Sequence, residues 1–192
     1  MGGVIIDLDV TATLNRLAVL IERPEEELSQ FYESPEFLAY EKGLVSDDVF
    51  RDSIRSLTPK DLEDDQIDEA WNAMLLGLPA KRLELVSRLG ANHQLLVLSN
   101  TNAIHVKRFN QFLKTNTGKT DLSHFFDVVY FSHEIKMRKP DAEIYQFVLD
   151  ENNLNPEDTL FLDDNKMNLE AAEELGIKTK HIDYPDRLFE IF

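Results

Sequence analysis

Hydrophobic and polar positions follow two different periods along this chain, and the change comes near residue 78. From about residue 12 to residue 78 the spacing is helical. Ser34-Pro35 reads as an N-cap followed by proline at the first helical position, and Gly43 is the natural stop. Ser46-Asp47-Asp48 opens another helix, with Val49, Phe50 and Ile54 available for one face. Ile67, Ala70, Trp71, Met74 and Leu75 share one helical stripe, so Trp71 is expected in a core rather than on a ligand platform. No strand-like run interrupts this region, which is therefore read as all-helical.

Beyond residue 78 apolar runs of strand length alternate with helical patterns. Residues 79–89 form an amphipathic helix closed by Gly90, and Gln94-Leu95-Leu96-Val97-Leu98 is a short apolar run broken by Ser99-Asn100-Thr101-Asn102. A helix over 103–113 follows, then a strand over 128–131, a helix over 140–151 and a strand over 159–162 ending on Asp163-Asp164. A helix over 168–175 stops at Gly176, a last strand covers 178–182, and residues 185–192 add a final helical turn or two. This alternation predicts βαβ units and a parallel sheet with helices on both faces. The expected fold class is therefore α/β, with an alternating, parallel-sheet part over 79–192 preceded by an all-helical part over 12–78.

The 192 residues, 43% of them hydrophobic, suffice for one core domain and a smaller insertion. The formal net charge of −16 disfavours nucleic acid and anionic membrane as partners. The acids are spread along helices, as at 24–27 and 63–65, and read mostly as solvated surface. With no cysteine, a disulfide framework, a thiolate zinc site and a Cys nucleophile are excluded. No secretory signal and no membrane-length apolar run is visible, so a cytoplasmic protein, monomeric or weakly dimeric, is expected. His93, His105, His124, His133 and His181 show no metal-like spacing and are read as surface or loop residues.

In open parallel sheets ligands bind beyond the carboxyl ends of the strands. Three such ends carry chemistry here: Ser99-Asn100, the Lys136-Met137-Arg138-Lys139-Pro140 segment after the second strand, and Asp163-Asp164. Together they suit phosphoryl chemistry. Two acids hold a hard divalent cation, the cation and a lysine neutralise phosphoryl oxygens, and a hydroxyl and backbone amides supply further donors. Singly, each has a plainer reading: Ser99 or Asn102 as a helix cap, Lys139-Pro140 as a helix start, Asp163-Asp164 as an N-cap pair complementing the helix dipole. The combination favours function.

The segments LLVLSNTN, MRKPDAEIY and LFLDDNKMNLEAAEELGI resemble the second, third and fourth motifs of the haloacid dehalogenase superfamily, in the branch with a small helical cap that includes sugar-phosphate phosphatases. The resemblance covers nearly the whole chain and implies a Rossmann-like parallel sheet core built from residues 1–11 and 79–192 with an inserted helical cap over 12–78. It implies a Mg²⁺-dependent phosphatase of small phosphorylated metabolites that works through an aspartyl-phosphate. On the matching positions, Ser99 and Lys139 would grip the phosphate with Asn100 in support. Asp164 would ligate Mg²⁺, Asp163 would support the metal or its waters, and Asn168 would brace the loop. Phe31, Tyr32, Phe37, Tyr40 and Lys42 are cap residues that could face substrate.

The first motif has two readings. Taken literally, Asp7-Leu8-Asp9-Val10-Thr11 makes Asp7 the nucleophile and Asp9 the general acid/base. Alternatively, Gly2 to Asp9 is the tail of the motif, and the nucleophile sits just before residue 1. The second is preferred. Only Val4-Ile5-Ile6 precede Asp7, short for a central strand, and Gly2-Gly3 suits a close-approach loop better than a strand. Without that strand the sheet would lose its central member. A catalytically impaired, phosphate-ligand-binding protein is the alternative function. A phospho-accepting receiver domain carries its acid pair at the first strand, whereas here the pair comes last.

Overall fold

The computed structural model describes residues 1–24, 28 and 34–192. Its first strand, β1 (Asp7–Leu8), pairs antiparallel with β2 (Leu75–Gly77). Between them runs the helical module: α1 (Val10–Ile21), α2 (Pro35–Glu41), α3 (Asp47–Arg55) and α4 (Asp64–Trp71). The caps follow local chemistry. Ser34 and Ser46 each accept a backbone amide at their helix start, and proline opens α2. One departure from the sequence expectation lies at the end of α4. The chain leaves the helix through a 3₁₀ turn (Asn72–Met74) into β2, so Leu75 is a strand residue and a strand does interrupt the region. Pairing with Asp7–Leu8, nearly seventy positions away in sequence, overrides the local helical pattern.

Leu17, Ile21, Phe50, Ile54, Ile67 and Trp71 fill the core of the helical module. Tyr40 stacks on Phe50 at 4.0 Å between ring centroids, and Phe50 lies 4.8 Å from Trp71. The buried Thr13 hydroxyl donates to Trp71 O and accepts from Met74 N, both at 2.9 Å. It thereby satisfies backbone groups that the turn from helix to strand leaves without helical partners.

The second half alternates as the periodicity predicts. After α5 (Ala80–Leu89) come β3 (Leu96–Ser99), α6 (Ala103–Thr117), β4 (Val128–Phe131) and the short α7 (Ser132–Ile135). Then follow α8 (Ala142–Asn152), β5 (Leu160–Asp163), α9 (Lys166–Glu173), β6 (Lys178–His181) and α10 (Leu188–Ile191). β3 pairs parallel with β4, setting Ser99 opposite Phe131. β5 pairs parallel with β6, setting Asp163 opposite His181. The parallel core is therefore split into two ladders rather than one continuous sheet. Val4, Ile5 and Ile6 are buried in the core, yet they form a tight turn whose amides all point at Met1 O, at 3.3, 2.8 and 3.2 Å. Between β3 and β5 lies an apolar cavity of about 520 Å³ lined by Leu96, Leu98, Leu160, Phe161 and Leu162, with Leu149 and Ile177 behind them. Among the described residues no helix is long and apolar enough to cross a membrane.

Candidate active site

The split core is bridged at its carboxyl end by Lys139. This side chain is 4% exposed, and its ammonium donates to Leu98 O of β3 at 3.0 Å and to Asp163 Oδ2 at the tip of β5 at 2.5 Å. The lysine backbone is fixed as well. The Asn100 side chain accepts from Lys139 N at 2.9 Å and donates to Lys139 O at 2.8 Å, closing a two-bond ring. Ser99 is buried at the end of β3. The loop after it is pinned by the Ser132 hydroxyl, which accepts from Thr101 N and donates to Thr101 O. Asn100, Lys139 and Asp163 are thus linked by hydrogen bonds, and the Ser99 hydroxyl beside them donates to Asn100 O at 3.3 Å. Asn100 acts there by holding the Lys139 peptide, with its side-chain amide committed to that task.

Asp163 is 2% exposed, and every oxygen has a donor. Lys139 holds Oδ2, while Asn165 N and Asn168 Nδ2 both donate to Oδ1 at 2.9 Å. Asn168 is set by α9, whose N-cap is Asn165 rather than the acid pair. Its carbonyl accepts the Tyr145 hydroxyl at 2.8 Å. Burial alone would push the Asp163 carboxyl up. The Lys139 ammonium, the N-terminal amine and the bonds from Lys139 and Asn165 outweigh it and hold the group below the usual carboxylate range.

Asp164 differs. Its carboxylate takes part in no ion pair among the described residues and leans on the Gly2-Gly3 loop. Gly3 has φ +66°, and a Cβ there would come 2.1 Å from Asp164 Oδ2, so only glycine permits this approach. Loss of water where the carboxylate meets that loop raises its pKa, and Asp163 adds to the effect, against the N-terminal amine and Lys139. A hard divalent cation fits this donor set. Mg²⁺ is commonly held by one or two carboxylates together with water and substrate phosphate, and Asp164 offers an uncommitted oxygen donor. Both oxygens of Asp163 are already hydrogen-bonded, and the described residues contain no cluster of three or more His, Cys, Asp or Glu able to hold a metal by themselves.

Asp7 and Asp9 are not brought into this group. Asp7 Oδ1 accepts from the Arg82 guanidinium at 2.7 Å, and Asp9 caps α1 by accepting Ala12 N. Neither makes a hydrogen bond or ion pair to Ser99, Lys139, Asp163 or Asp164. Sequence reasoning missed Arg82, which is 4% exposed and also reaches Ile5 O and Asp186. The signal was available, since a cation beside the apolar Leu83, Leu85 and Val86 of α5 needs a buried acceptor.

The histidine reading needs one correction. His105 is buried on α6, stacked on Trp71 at 5.1 Å and bonded to Asn72 Oδ1 at 2.9 Å, because α6 packs under the helical module. Burial drives its pKa down to about 3. Phe37 and Tyr40 are buried in the helical core, the Tyr40 hydroxyl donating to Asp47 at 2.8 Å. Phe31 and Tyr32 lie outside the described residues.

Residues 4–182 match the haloacid dehalogenase-like hydrolase family. The chain belongs to that family. The D-ribitol-5-phosphate phosphatase of Bacteroides thetaiotaomicron is 27% identical to this haloacid dehalogenase-like hydrolase over 179 residues, 93% of this chain and 86% of that protein. A phosphorylated carbohydrates phosphatase of Thermotoga maritima is 42% identical over 60 residues, 31% of this chain and 28% of the relative. Among solved structures, a haloacid dehalogenase family enzyme from Bacteroides thetaiotaomicron, in complex with magnesium and inorganic phosphate, is 34% identical. It superposes with a TM-score of 0.82 over 94% of this chain and 90% of that one. A haloacid dehalogenase-like hydrolase from Porphyromonas gingivalis is 29% identical with a TM-score of 0.81, over 94% and 86% of the two chains.

Proposed function

We propose that this hydrolase cleaves phosphate monoesters of small phosphorylated metabolites, sugar or polyol phosphates among them, with the helical module serving as a cap over the site. The observation that supports the reading is the Lys139 bridge, which sets a buried ammonium between the carboxyl ends of β3 and β5, on Leu98 O and Asp163. In use, the ammonium and the Ser99 hydroxyl hold phosphoryl oxygens, and Asn100, Asn165 and Asn168 keep the lysine and Asp163 from shifting. Asp164 would hold Mg²⁺, which when bound neutralises phosphoryl charge as a Lewis acid. The relatives that act on sugar and polyol phosphates, and the neighbour solved with magnesium and phosphate, support the same chemistry.

An aspartyl-phosphate intermediate requires a carboxylate in line with phosphorus. In this chain Asp7 is the candidate, and it would have to leave Arg82 to serve. That engagement favours a second reading in which the protein grips phosphate ligands without turnover. Hydrolysis of p-nitrophenyl phosphate with and without Mg²⁺ separates the two. We expect Mg²⁺-dependent turnover, removed by chelation and lowered at least tenfold by Asp164→Asn, a floor set from the typical value of a single charge-stabilising group. Undiminished activity of Asp164→Asn would sink the metal assignment. Equal activity of Asp7→Asn and the parent would remove Asp7 as nucleophile. Saturable phosphate binding with no turnover favours the second reading for the chain as it stands.

A further inference from the structure

Two adjacent residues at the end of α2 reach across to the segment that carries Lys139. Arg138 Nε donates to Glu41 Oε2 at 3.0 Å, and a second guanidinium nitrogen lies 2.8 Å from the same oxygen. The Lys42 ammonium donates to Asp141 Oδ2 at 2.7 Å. Arg138 and Asp141 flank Lys139-Pro140 on either side. The signs oppose in both places: acid then base at 41 and 42, base then acid at 138 and 141. Sliding the two segments by one position would set like charges face to face, so the pattern admits one register. The backbones meet beside it. Gly43 has φ +62°, and a Cβ there would fall 1.9 Å from His133 O, so the helical module touches the start of α7 without an intervening side chain. Glu41 and Arg138 are largely shielded, with side chains 13% and 23% exposed, which sets this pair apart from screened surface pairs. Burial pushes the Glu41 carboxyl up against the pull of Arg138, so the acid depends on its partner.

We propose that Glu41 and Lys42 are positioning residues for Lys139: a paired clasp that sets the 138–141 segment, and with it the phosphate-gripping ammonium, only while the helical module is docked. Neither residue touches the phosphate. Asn100 fixes the Lys139 peptide from the core side, and the clasp fixes its two flanks from the opposite side. This inference rests on the phosphatase reading for its catalytic consequence, but the clasp itself can be tested without it.

The test is a charge swap in the full chain. Glu41→Arg is expected to raise KM for p-nitrophenyl phosphate about tenfold, the size of coupling found between contacting charges. The pair Glu41→Arg/Arg138→Glu should return KM to within about twofold, because the attraction is restored in reverse. The same logic applies to Lys42→Asp and Asp141→Lys. Hydrogen exchange of the 136–141 amides is read in parallel. Protection should fall in Glu41→Arg and come back in the swapped pair. An unchanged KM in Glu41→Arg, or a KM equally raised in the swapped pair, overturns the positioning role. If the parent shows no turnover, KM cannot be read and hydrogen exchange alone decides. Protection that follows the swap upholds the clasp, and protection indifferent to it removes the clasp.

Discussion

Replacing Lys139 by methionine is expected to cost about 3–5 kcal/mol of stability and to lower hydrolysis a hundredfold or more. The stability loss comes from Asp163 rather than from the lysine. Both side chains are nearly closed to solvent, and removing the ammonium leaves a carboxylate in the interior with only two neutral donors, Asn165 N and Asn168 Nδ2. An uncompensated buried charge is far worse than no charge pair at all. The double variant Lys139→Met/Asp163→Asn should therefore recover most of the stability while staying inactive. Urea unfolding and initial rates on the same preparations check both halves. A single variant as stable as the parent would mean that Asp163 finds another counter-charge. A double variant with restored turnover would remove Lys139 from the phosphate site. Acid titration gives an independent check. The folded Asp163 pKa is depressed, so its contribution is present above the unfolded carboxylate value of about 3.9 and is lost as pH falls through the folded value.

Much of this arrangement was legible because it is written in local chemistry. Ser34 and Ser46 cap the helices they precede, and the Val128 to Phe131 run is a strand with those bounds. The Lys139 bridge was legible for a related reason. Strand ends of a parallel core gather on one edge, so Ser99, Lys139 and Asp163 could be grouped before any contact was known. What escaped the sequence depends on pairing between distant segments. The α4 stripe seemed to run on through Leu75 because nothing local shows that residues 75–77 will pair with Asp7–Leu8. The separation of β3 from β5 is likewise a matter of which edges meet. Lys42 read as a cap residue that could face substrate, and only the fold sets it and Glu41 against Asp141 and Arg138.

The site therefore has two kinds of support. One is short-range and belongs to the core: Asn165 and Asn168 hold Asp163, and Asn100 holds the Lys139 peptide. The other crosses from the helical module and has no counterpart in the local sequence. A change in the first kind should show in stability and turnover together, because the same bonds satisfy buried groups and orient reacting ones. A change in the second should show mainly in binding, since the clasp lies outside the buried network.

His105 makes stability pH-dependent well above the carboxylate range. Its folded pKa is about 3, against about 6.5 for an unfolded histidine, so between these values the unfolded chain binds a proton that the folded protein refuses. Stability then rises with pH across that window and is lost as pH falls below about 6.5, by about 1.4 kcal/mol per unit, or roughly 4–5 kcal/mol over the full range. The cause is placement. The ring is sandwiched against Trp71 with Nδ1 donating to Asn72 Oδ1, and no acid lies among those contacts to stabilise a charged imidazolium. Between pH 6.5 and 5, where most carboxylates remain ionised, the loss should be about 2 kcal/mol. His105→Gln keeps a donor for Asn72 and does not titrate, so its unfolding free energy should fall by about 2 kcal/mol less than the parent's over that interval. Comparing the two proteins at each pH cancels the contributions of Glu41, His133 and Asp163. A parent curve as flat as that of the variant would mean that the imidazole charges in the folded state, which requires the α6 contact with the helical module to open. Because Trp71 belongs to the helical core and His105 to α6, such opening would expose both rings together, and tryptophan fluorescence at pH 5 would report it directly.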